Sequence, residues 1–479
     1  MITALMILYL ICALLLAVYA SSTILFLLIF WRCRRRVLQT PAVGEWPTVV
    51  VQLPIYNEHH VVKRLLEAVA ALDYPYERLS VQLLDDSTDD TSQIAAECIA
   101  FLRETGLNIH HIRREERIGY KAGALAYGLS LTDAELVLVL DADFVPAPDF
   151  LRRTVPFLAA DPKLGMVQTR WGHLNTFTNL LTWSQTLALD GHFVVEQTAR
   201  SRAGLLMSFN GSGGVWRTDC IRAAGGWRDL TLTEDLDLSY RAQLKGWRFL
   251  YLPDVVVPAE LPPQIAAYKQ QQARWARGST QTLTYMLFPV WRSRFTVIQR
   301  FMATLHLCQY LPHPLMLILL LLTPPMLSLR VLDDVPLGLL GMLGLAPPLV
   351  YVVSQQQLYP DWKRRLLVFP VLLALGTGIA WNNSRAVING LLRRGGEFRR
   401  TPKFAFSWQK SSYALRADHN AWVELALALY ALWGVELALQ TRNPAVAPYL
   451  CLYVFAFGLV GAWSLRDGWQ LIRKKGQSS

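Results

Sequence analysis

Long apolar runs lie at both ends of the chain and predict membrane-spanning helices. The first run, 2–31, is apolar throughout, and at about 1.5 Å per helical residue it exceeds the roughly 30 Å hydrocarbon core of a bilayer. A cleaved signal peptide is the alternative, but no basic segment precedes the run, which favours an uncleaved anchor. Five further runs follow the middle of the chain: 301–322, 336–353, 366–388, 421–439 and 449–465.

Basic clusters beside these runs predict how the chain is threaded. Arg32 and 34–36 follow the first run, which places the next segment in the cytoplasm by the positive-inside rule. Basic residues flank 366–388 on both sides, so we expect this run to lie along the cytoplasmic interface. The prediction is a multi-pass protein of the cell (inner or plasma) membrane, with one N-terminal span, four C-terminal spans and a cytoplasmic catalytic domain.

This threading divides the chain into eight segments. They are an N-terminal membrane helix with its basic stop (1–36), a cytoplasmic domain (45–282), an interface helix (283–300), two membrane helices (301–358), a second interface helix (366–392), a loop (396–405), two further membrane helices (421–466) and a basic cytoplasmic tail (467–479).

The cytoplasmic middle alternates short β-branched or leucine-rich runs with helical patterns. Strands are predicted at 48–53, 81–84, 108–112 and 135–140, and helices at 58–72, 91–104 and 121–131. Such alternation is typical of βαβ units. The predicted fold class is therefore an α/β cytoplasmic domain with a mostly parallel sheet, joined to an α-helical transmembrane domain.

Composition and charge narrow the classes of function. The chain has 479 residues, of which 53% are hydrophobic and 17% charged, which excludes a disordered protein. The net charge of +11 could suggest nucleic acid, but the arginines concentrate at membrane boundaries, so a lipid bilayer is the expected partner and nucleic acid is not. Six scattered cysteines lack the short paired spacing of a disulfide framework or zinc site.

Polar side chains follow three of the predicted strands. Asn57 and Glu58 come after the first strand, Asp85 and Asp86 after the second, and the 141–143 Asp-Ala-Asp triplet after the fourth. Ligands of open parallel sheets bind beyond the carboxyl ends of the strands. Any one acidic strand end is usually a helix cap, but three together favour a binding site. Closely spaced carboxylates hold a hard divalent cation, which can neutralise a leaving diphosphate.

Three further groups of residues could serve the same site. Lys121 begins a predicted helix and offers a cation to an anion, or is an exposed surface lysine. Glu234 and Asp235 open an amphipathic helix, where acids either stabilise the helix start or, when buried in a cleft, act as a general base. The 271–275 segment carries an arginine suited to diphosphate and a tryptophan suited to a sugar ring or to the lipid headgroups.

Taken in order, seven motifs resemble the membrane-embedded glycosyltransferases of family 2. They are QLPIYNE (52–58), LLDDSTDD (83–90), GYKAGAL (119–125), DADF (141–144), FNGSGGVWR (209–217), TEDLDLSYR (233–241) and QQARW (271–275). LALDGHFVVEQ (187–197), FNGSGGVWR and QQARW look most like the cellulose synthase-like A group, the mannan and glucomannan synthases. The resemblance implies a GT-A fold for the cytoplasmic domain.

The resemblance also implies a role for each matching residue. Asp143, with Asp141, would hold Mg²⁺ or Mn²⁺, and Asp235 would be the catalytic base. The other roles form three sets. The residues expected to bind the nucleotide sugar are Asn57, Glu58, Asp85 or Asp86, Lys121, Asp141 and Arg274. Those expected to bind the acceptor are Glu234, Gln271 and Trp275. A gating loop would contain Phe398, Thr401 and Lys403, with arginine at 400 in place of the usual valine.

The leading hypothesis is a processive inverting β-glycosyltransferase that makes and secretes a mannan-like or glucomannan-like polysaccharide. Its donor would be GDP-mannose, GDP-glucose or UDP-glucose. The alternative is an inverting transferase that adds one or a few sugars to a lipid such as ceramide or diacylglycerol. A transporter or regulatory component with a degenerate domain is disfavoured, because Asp143, Asp235 and Arg274 are all present.

Overall fold

The fold places a sheet domain beside a set of apolar helices. The structure, a computed structural model, describes residues 2–34, 38–332, 344, 346–393, 396–405, 408–416, 419–441 and 443–475. Its strands are β1 (Val49–Ile55), β2 (Leu79–Asp85), β3 (Ile109–Arg113), β4 (Leu136–Val139), β5 (Leu164–His173), β6 (Gly214–Arg217) and β7 (Arg248–Ala259).

The helices of the sheet domain lie between and after these strands. They are α2 (Val62–Ala70), α3 (Thr91–Glu104), α4 (Tyr120–Ser130), α5 (Phe150–Ala160), α6 (Leu180–Gly191), a π-helical turn (His192–Gln197), α7 (Thr198–Arg202), α8 (Thr218–Ala223) and α9 (Glu234–Leu244), with α1 (Ile2–Cys33) preceding them all. The long α10 (Ile265–Arg292) follows the last strand.

The strands form one seven-stranded sheet in the order β3-β2-β1-β4-β6-β5-β7. Pairing is parallel except at β6, which runs antiparallel to β4 and β5. The predicted mostly parallel sheet is therefore confirmed. Alternate side chains of β1 enter the two cores on opposite faces of the sheet, as Val51 and Val50 illustrate, and both are fully buried.

One helix begins later than the pattern predicts. The prediction started at 58, whereas α2 starts at Val62, because the chain first turns at Asn57, whose φ is 55°. The backbone N–H of Asn57 donates to Ser87 Oγ (2.9 Å), which ties this turn to the end of β2. The turn brings Glu58 to the rim of the sheet.

The remaining apolar helices form the second part of the structure. They are α11 (Val297–Leu307), α12 (Pro312–Ser328), α13 (Ala346–Leu358), α14 (Trp362–Arg365), α15 (Phe369–Gly378), α16 (Ala380–Leu391), α17 (Asn420–Gln440) and α18 (Ala447–Lys475). In the described residues, three helices are long and apolar enough to cross a membrane: Ile2–Cys33, Asn420–Gln440 and Ala447–Arg473. The number rises to five if two bent pairs each count as one span.

The observed helices can be compared with the segments predicted from the sequence. α10 continues through 283–292 and α11 begins at Val297, inside the predicted 283–300 interface helix. The predicted 366–392 interface helix contains α15 and α16, and the chain bends by 41° between them. The placement of this segment along the membrane interface stays a prediction. Parts of four predicted segments lie outside the described residues: 1 and 35–36 of segment 1–36, 333–343 and 345 of segment 301–358, 442 of segment 421–466, and 476–479 of segment 467–479.

Candidate active site

The carboxyl ends of β1, β2 and β4 meet at one cleft. Because these strands are neighbours in the sheet, their acidic ends converge as the sequence predicted. Most of the predicted site residues line this cleft: Glu58, Asp86, Lys121, Asp141, Asp143, Glu234, Asp235, Gln271, Arg274, Trp275, Phe398, Thr401 and Lys403.

Asp85 and Asn57 do not line the cleft, and their side chains hold the nearby backbone in place. Asp85 is 1% exposed and accepts hydrogen bonds from Ser92 Oγ (2.6 Å) and the Ser87 backbone N–H (2.8 Å), with His111 Nε2 at 2.8 Å. Asn57 Oδ1 accepts from the Thr88 backbone N–H (2.8 Å). Of the two aspartates that the resemblance left open, Asp86 is the one that lines the cleft, where Arg114 holds its carboxylate at 2.5 and 3.0 Å.

We expect Asp85→Asn to lower the free energy of unfolding by about 2 kcal/mol at neutral pH. Burial acts to raise the pKa of Asp85, but hydrogen bonds from His111, Ser92 and Ser87 outweigh it and lower this pKa to about 2. Because the pKa of aspartate in the unfolded chain is about 3.9, the ionised Asp85 side chain stabilises the fold fully above that pH. This stabilisation is lost as the pH falls toward 2. The stability difference between wild type and variant, measured by thermal unfolding, should shrink over that window. Unchanged unfolding with lost nucleotide affinity would instead assign Asp85 to nucleotide binding.

Lys121 projects from the first turn of α4 into the cleft. Its Nζ contacts Asp141 Oδ1 (2.6 Å) and donates to the Gly211 carbonyl (2.8 Å), with Glu234 at 3.7 Å. Burial acts to lower the pKa of Lys121, but Asp141 and Glu234 outweigh it and raise this pKa. Lys121 is therefore a partly buried cation that is paired inside the cleft, rather than an exposed surface lysine.

Asp235 lies in the first turn of α9, deep in the cleft. Its carboxylate does not cap the helix, although Oδ1 accepts from the Leu236 backbone N–H (2.8 Å). Burial raises the pKa of Asp235 to about 7, and the adjacent Glu234 adds to the shift while Lys121 opposes it. Burial thus overcomes the helix dipole, which would keep the pKa low. A carboxylate with a pKa near 7 is suited to accept a proton at neutral pH.

Gly211 makes room for the Asp235 carboxylate. Its φ is 85°, in the left-handed region that favours glycine, and a Cβ here would lie 2.9 Å from Asp235 Oδ2. The glycine of the FNGSGG motif therefore allows the backbone to approach the candidate base closely.

Asp143 has the environment of a metal ligand. It is 1% exposed, and its Oδ2 accepts from Lys403 Nζ (2.7 Å) and the Glu260 backbone N–H (2.9 Å). Its Oδ1 is buried without a hydrogen-bond partner among the described residues, which is unusual for a carboxylate. Burial raises the pKa of Asp143 although Lys403 opposes this. An orphaned buried oxygen beside a second carboxylate, Asp141, fits a divalent cation.

The 396–405 segment closes one side of the cleft. The Phe398 ring stacks near Tyr120 (6.0 Å between ring centroids) and under the Arg274 guanidinium (4.8 Å). Lys403 contacts Asp143, and Arg400 pairs with Glu58 at 3.3 Å. Burial raises the pKa of Glu58 to about 8, against the opposing charges of Arg400 and Lys403.

Several site residues were missed by the sequence analysis. Glu260 accepts hydrogen bonds from the Phe404 and Ala405 backbone N–H groups (3.3 and 3.2 Å) and from Arg64 (2.7 Å), so it anchors the closing segment. It follows β7, so the strand-end signal used for the other carboxylates would have found it. Arg114 and Arg400 carry no comparable local signal.

A second cavity adjoins the cleft. Asp235, Gln271 and Trp275 line both spaces, so the candidate base lies where they meet. The second cavity mixes amide, imidazole and aromatic side chains, including Gln185, His192, Phe193, Tyr268, Gln309 and Tyr310. Aromatic platforms with convergent hydrogen-bonding groups suit a sugar chain.

Comparison with known proteins agrees with this geometry. Residues 47–278 match the family described as glycosyltransferase like family 2. The chain is 40% identical over 290 residues to glucomannan 4-beta-mannosyltransferase 2 of Arabidopsis thaliana, covering 58% of this chain and 54% of that protein. It is 42% identical over 275 residues to glucomannan 4-beta-mannosyltransferase 1 of Oryza sativa subsp. japonica, covering 56% and 53%. The chain thus spans about half the length of these relatives.

A solved structure supports the fold. The mannosyltransferase PcManGT from Pyrobaculum calidifontis, in complex with GDP-Man and Mn²⁺, superposes with a TM-score of 0.55 and 22% identity, over 81% of this chain and all of that one. This likeness shows that the sheet domain has a GT-A-type fold. Residues 47–278 are thus similar to the family 2 glycosyltransferases, and the predicted similarity to the cellulose synthase-like A group, the mannan and glucomannan synthases, is confirmed.

Proposed function

We propose that the protein is a processive inverting β-hexosyltransferase that extends a mannan-like or glucomannan-like polysaccharide and passes it across the membrane. The observation that carries the proposal is the position of Asp235 between the acidic, cation-lined cleft and the sugar-suited second cavity. Relatives named as glucomannan mannosyltransferases support the polymer acceptor over a lipid. The protein would lie in the inner or plasma membrane. Its catalytic domain would face the cytoplasm.

The cleft is proposed to hold the nucleotide sugar. Asp86 would contact the nucleoside, and Lys121 and Arg274 would pair with the diphosphate. Asp143 and Asp141 would hold Mg²⁺ or Mn²⁺, which neutralises charge on the leaving diphosphate. GDP-mannose is the first candidate donor, since the relatives are named mannosyltransferases and PcManGT holds GDP-Man; GDP-glucose and UDP-glucose follow.

Transfer is proposed to proceed by one in-line displacement. Asp235 accepts the proton of the acceptor hydroxyl as its oxygen attacks the anomeric carbon, and the bond to the nucleoside diphosphate breaks on the opposite face. Trp275 would stack on the acceptor sugar while Gln271 and Glu234 hydrogen-bond to it. Phe398, Thr401 and Lys403 would cover the bound donor, because their segment already lies over the cleft.

The experiment that tests this function is an assay of the detergent-purified full chain with Mg²⁺ or Mn²⁺ and each of GDP-mannose, GDP-glucose and UDP-glucose. We expect release of nucleoside diphosphate from GDP-mannose and a high-molecular-weight product that a β-mannanase degrades. Asp235→Asn protein is the matched control for background hydrolysis. A small, solvent-extractable product that appears only with added ceramide or diacylglycerol would establish the lipid transferase instead.

A further inference from the structure

A third cavity is lined in part by the segment that closes the cleft. We call it the outer cavity and define it by Gln270, Asn382, Arg399, Arg416, Ser464 and Asp467, which line it. None of these residues lines the cleft or the second cavity. The outer cavity is therefore a separate candidate site.

The outer cavity lies where the apolar helices end. α17 begins just after Arg416, and Asp467 lies near the end of α18, which packs against α17. α18 contacts the start of α10, because Asp467 Oδ2 accepts from the Ile265 backbone N–H (3.2 Å). Gln264, just before α10, bonds the backbone of Leu415, which precedes α17. Trp422 in α17 and Trp469 in α18 are exposed, and tryptophans with exposed rings are typical of helix ends at the lipid headgroups.

The lining of the outer cavity favours an anion. Lys269 also lines the outer cavity, and its buried amine is paired with Glu424 (2.6 Å). Asp467 is paired with Arg466 (3.1 Å). The charges within each of these two pairs cancel. Arg399 and Arg416 remain as the cationic side chains of the wall, Arg399 sharing its charge with the exposed Glu397. Ser464 is 3% exposed, and its hydroxyl has no hydrogen-bond partner among the described residues. A buried unpaired hydroxyl indicates a missing partner.

Adjacent residues of α10, and adjacent residues of the 396–405 segment, line the outer cavity on one side and the cleft on the other. Gln270 lines the outer cavity while Gln271 lines the cleft, and Arg399 lines the outer cavity while Arg400 lines the cleft. Gln270 Nε2 also donates to the Arg400 carbonyl (2.8 Å). A ligand that holds Arg399 would therefore hold the 396–405 segment against the cleft.

We propose that the outer cavity binds a phosphate-bearing anion through Arg399 and Arg416, with Ser464, Gln270 and Asn382 as hydrogen-bonding partners. The planar guanidinium group of arginine can bind phosphate through two parallel hydrogen bonds. The source of the phosphate is the headgroup of an anionic phospholipid or a soluble phosphate ester. Binding stabilises the closed position of the 396–405 segment; only this last consequence rests on the proposed function.

The test measures lipid retention by the full chain in nanodiscs of phosphatidylcholine with phosphatidylglycerol. Arg399→Gln/Arg416→Gln should lower phosphatidylglycerol retention, read by native mass spectrometry, by about tenfold or more. Arg473→Gln is the matched control, because Arg473 lies at the same end of α18 but outside the cavity and stacks on Trp469. A parallel arm titrates inorganic phosphate and ADP into protein in phosphatidylcholine alone.

Each outcome decides the proposal. Loss of phosphatidylglycerol retention in the double variant alone identifies a lipid headgroup, and loss of soluble phosphate binding alone identifies a soluble ester. Equal binding by wild type, double variant and control in both arms overturns the proposal. Hydrogen exchange of the wild type avoids any dependence on variant folding: the anion should slow exchange in 396–405 several-fold, and unchanged exchange with either anion would refute the coupling to the segment, whether or not the protein transfers sugar.

Discussion

Asp235→Asn is expected to lower the turnover number by roughly 10²–10⁴-fold, the usual contribution of a general base. An asparagine fills the same space but cannot accept the proton of the acceptor hydroxyl. Nucleotide-sugar affinity should stay close to that of the wild type, because Lys121, Arg274 and Asp86 are unchanged. Single-turnover kinetics and a binding titration on the same preparation separate the two effects.

The pH dependence of the wild type gives an independent check on Asp235. Because the pKa of Asp235 in the free protein is raised to about 7, the carboxylate is the base above that pH, and kcat/KM should fall about tenfold per pH unit well below it. Because the pKa of Asp235 is higher in the folded than in the unfolded chain, this group lowers the free energy of unfolding as the pH rises, and the loss is complete above about pH 7. The asparagine variant should therefore unfold at no lower temperature than the wild type at pH 8. A variant that keeps its turnover, or a wild-type profile that is flat between pH 5 and 8, would remove Asp235 as the base.

The sheet and the acidic rim of the cleft were predictable because both follow from local patterns. A βα repeat specifies a parallel sheet, and adjacent strands of such a sheet must bring their carboxyl ends to one edge. Asp86, Asp141 and Asp143 therefore meet as predicted. The same logic applied to β7 would have added Glu260.

Other features depend on burial and on distant pairing, which no local pattern encodes. Asp85 and Asp86 are adjacent in sequence, yet only packing decides that Asp85 is a buried structural group and Asp86 a cleft residue. The ion pairs Arg400–Glu58 and Lys403–Asp143 each join residues hundreds of positions apart. The outer cavity likewise arises only when α10, α16, α18 and the closing segment come together.

Asp143→Asn is expected to weaken metal-dependent nucleotide binding by roughly 100-fold or more, because a metal ion contributes several kcal/mol of charge stabilisation at such a site. The neutral amide retains the hydrogen bond from the Glu260 backbone but loses the charge that a divalent cation needs. Titrating GDP with and without Mn²⁺ measures the effect directly. The affinity without Mn²⁺ should change little, so the variant and the wild type should differ only when the ion is present.

Two comparisons make the Asp143 result specific. Asp149→Asn alters an exposed aspartate a few residues further along, with 55% of its side chain exposed, and should leave both affinities unchanged. Lys403→Met removes the ammonium that occupies Asp143 Oδ2, so Mn²⁺ should bind this variant more tightly than the wild type in the absence of nucleotide. If Asp143→Asn retained its Mn²⁺-dependent affinity, Lys403 would be the permanent partner of Asp143, and the cation would have to bind elsewhere in the cleft.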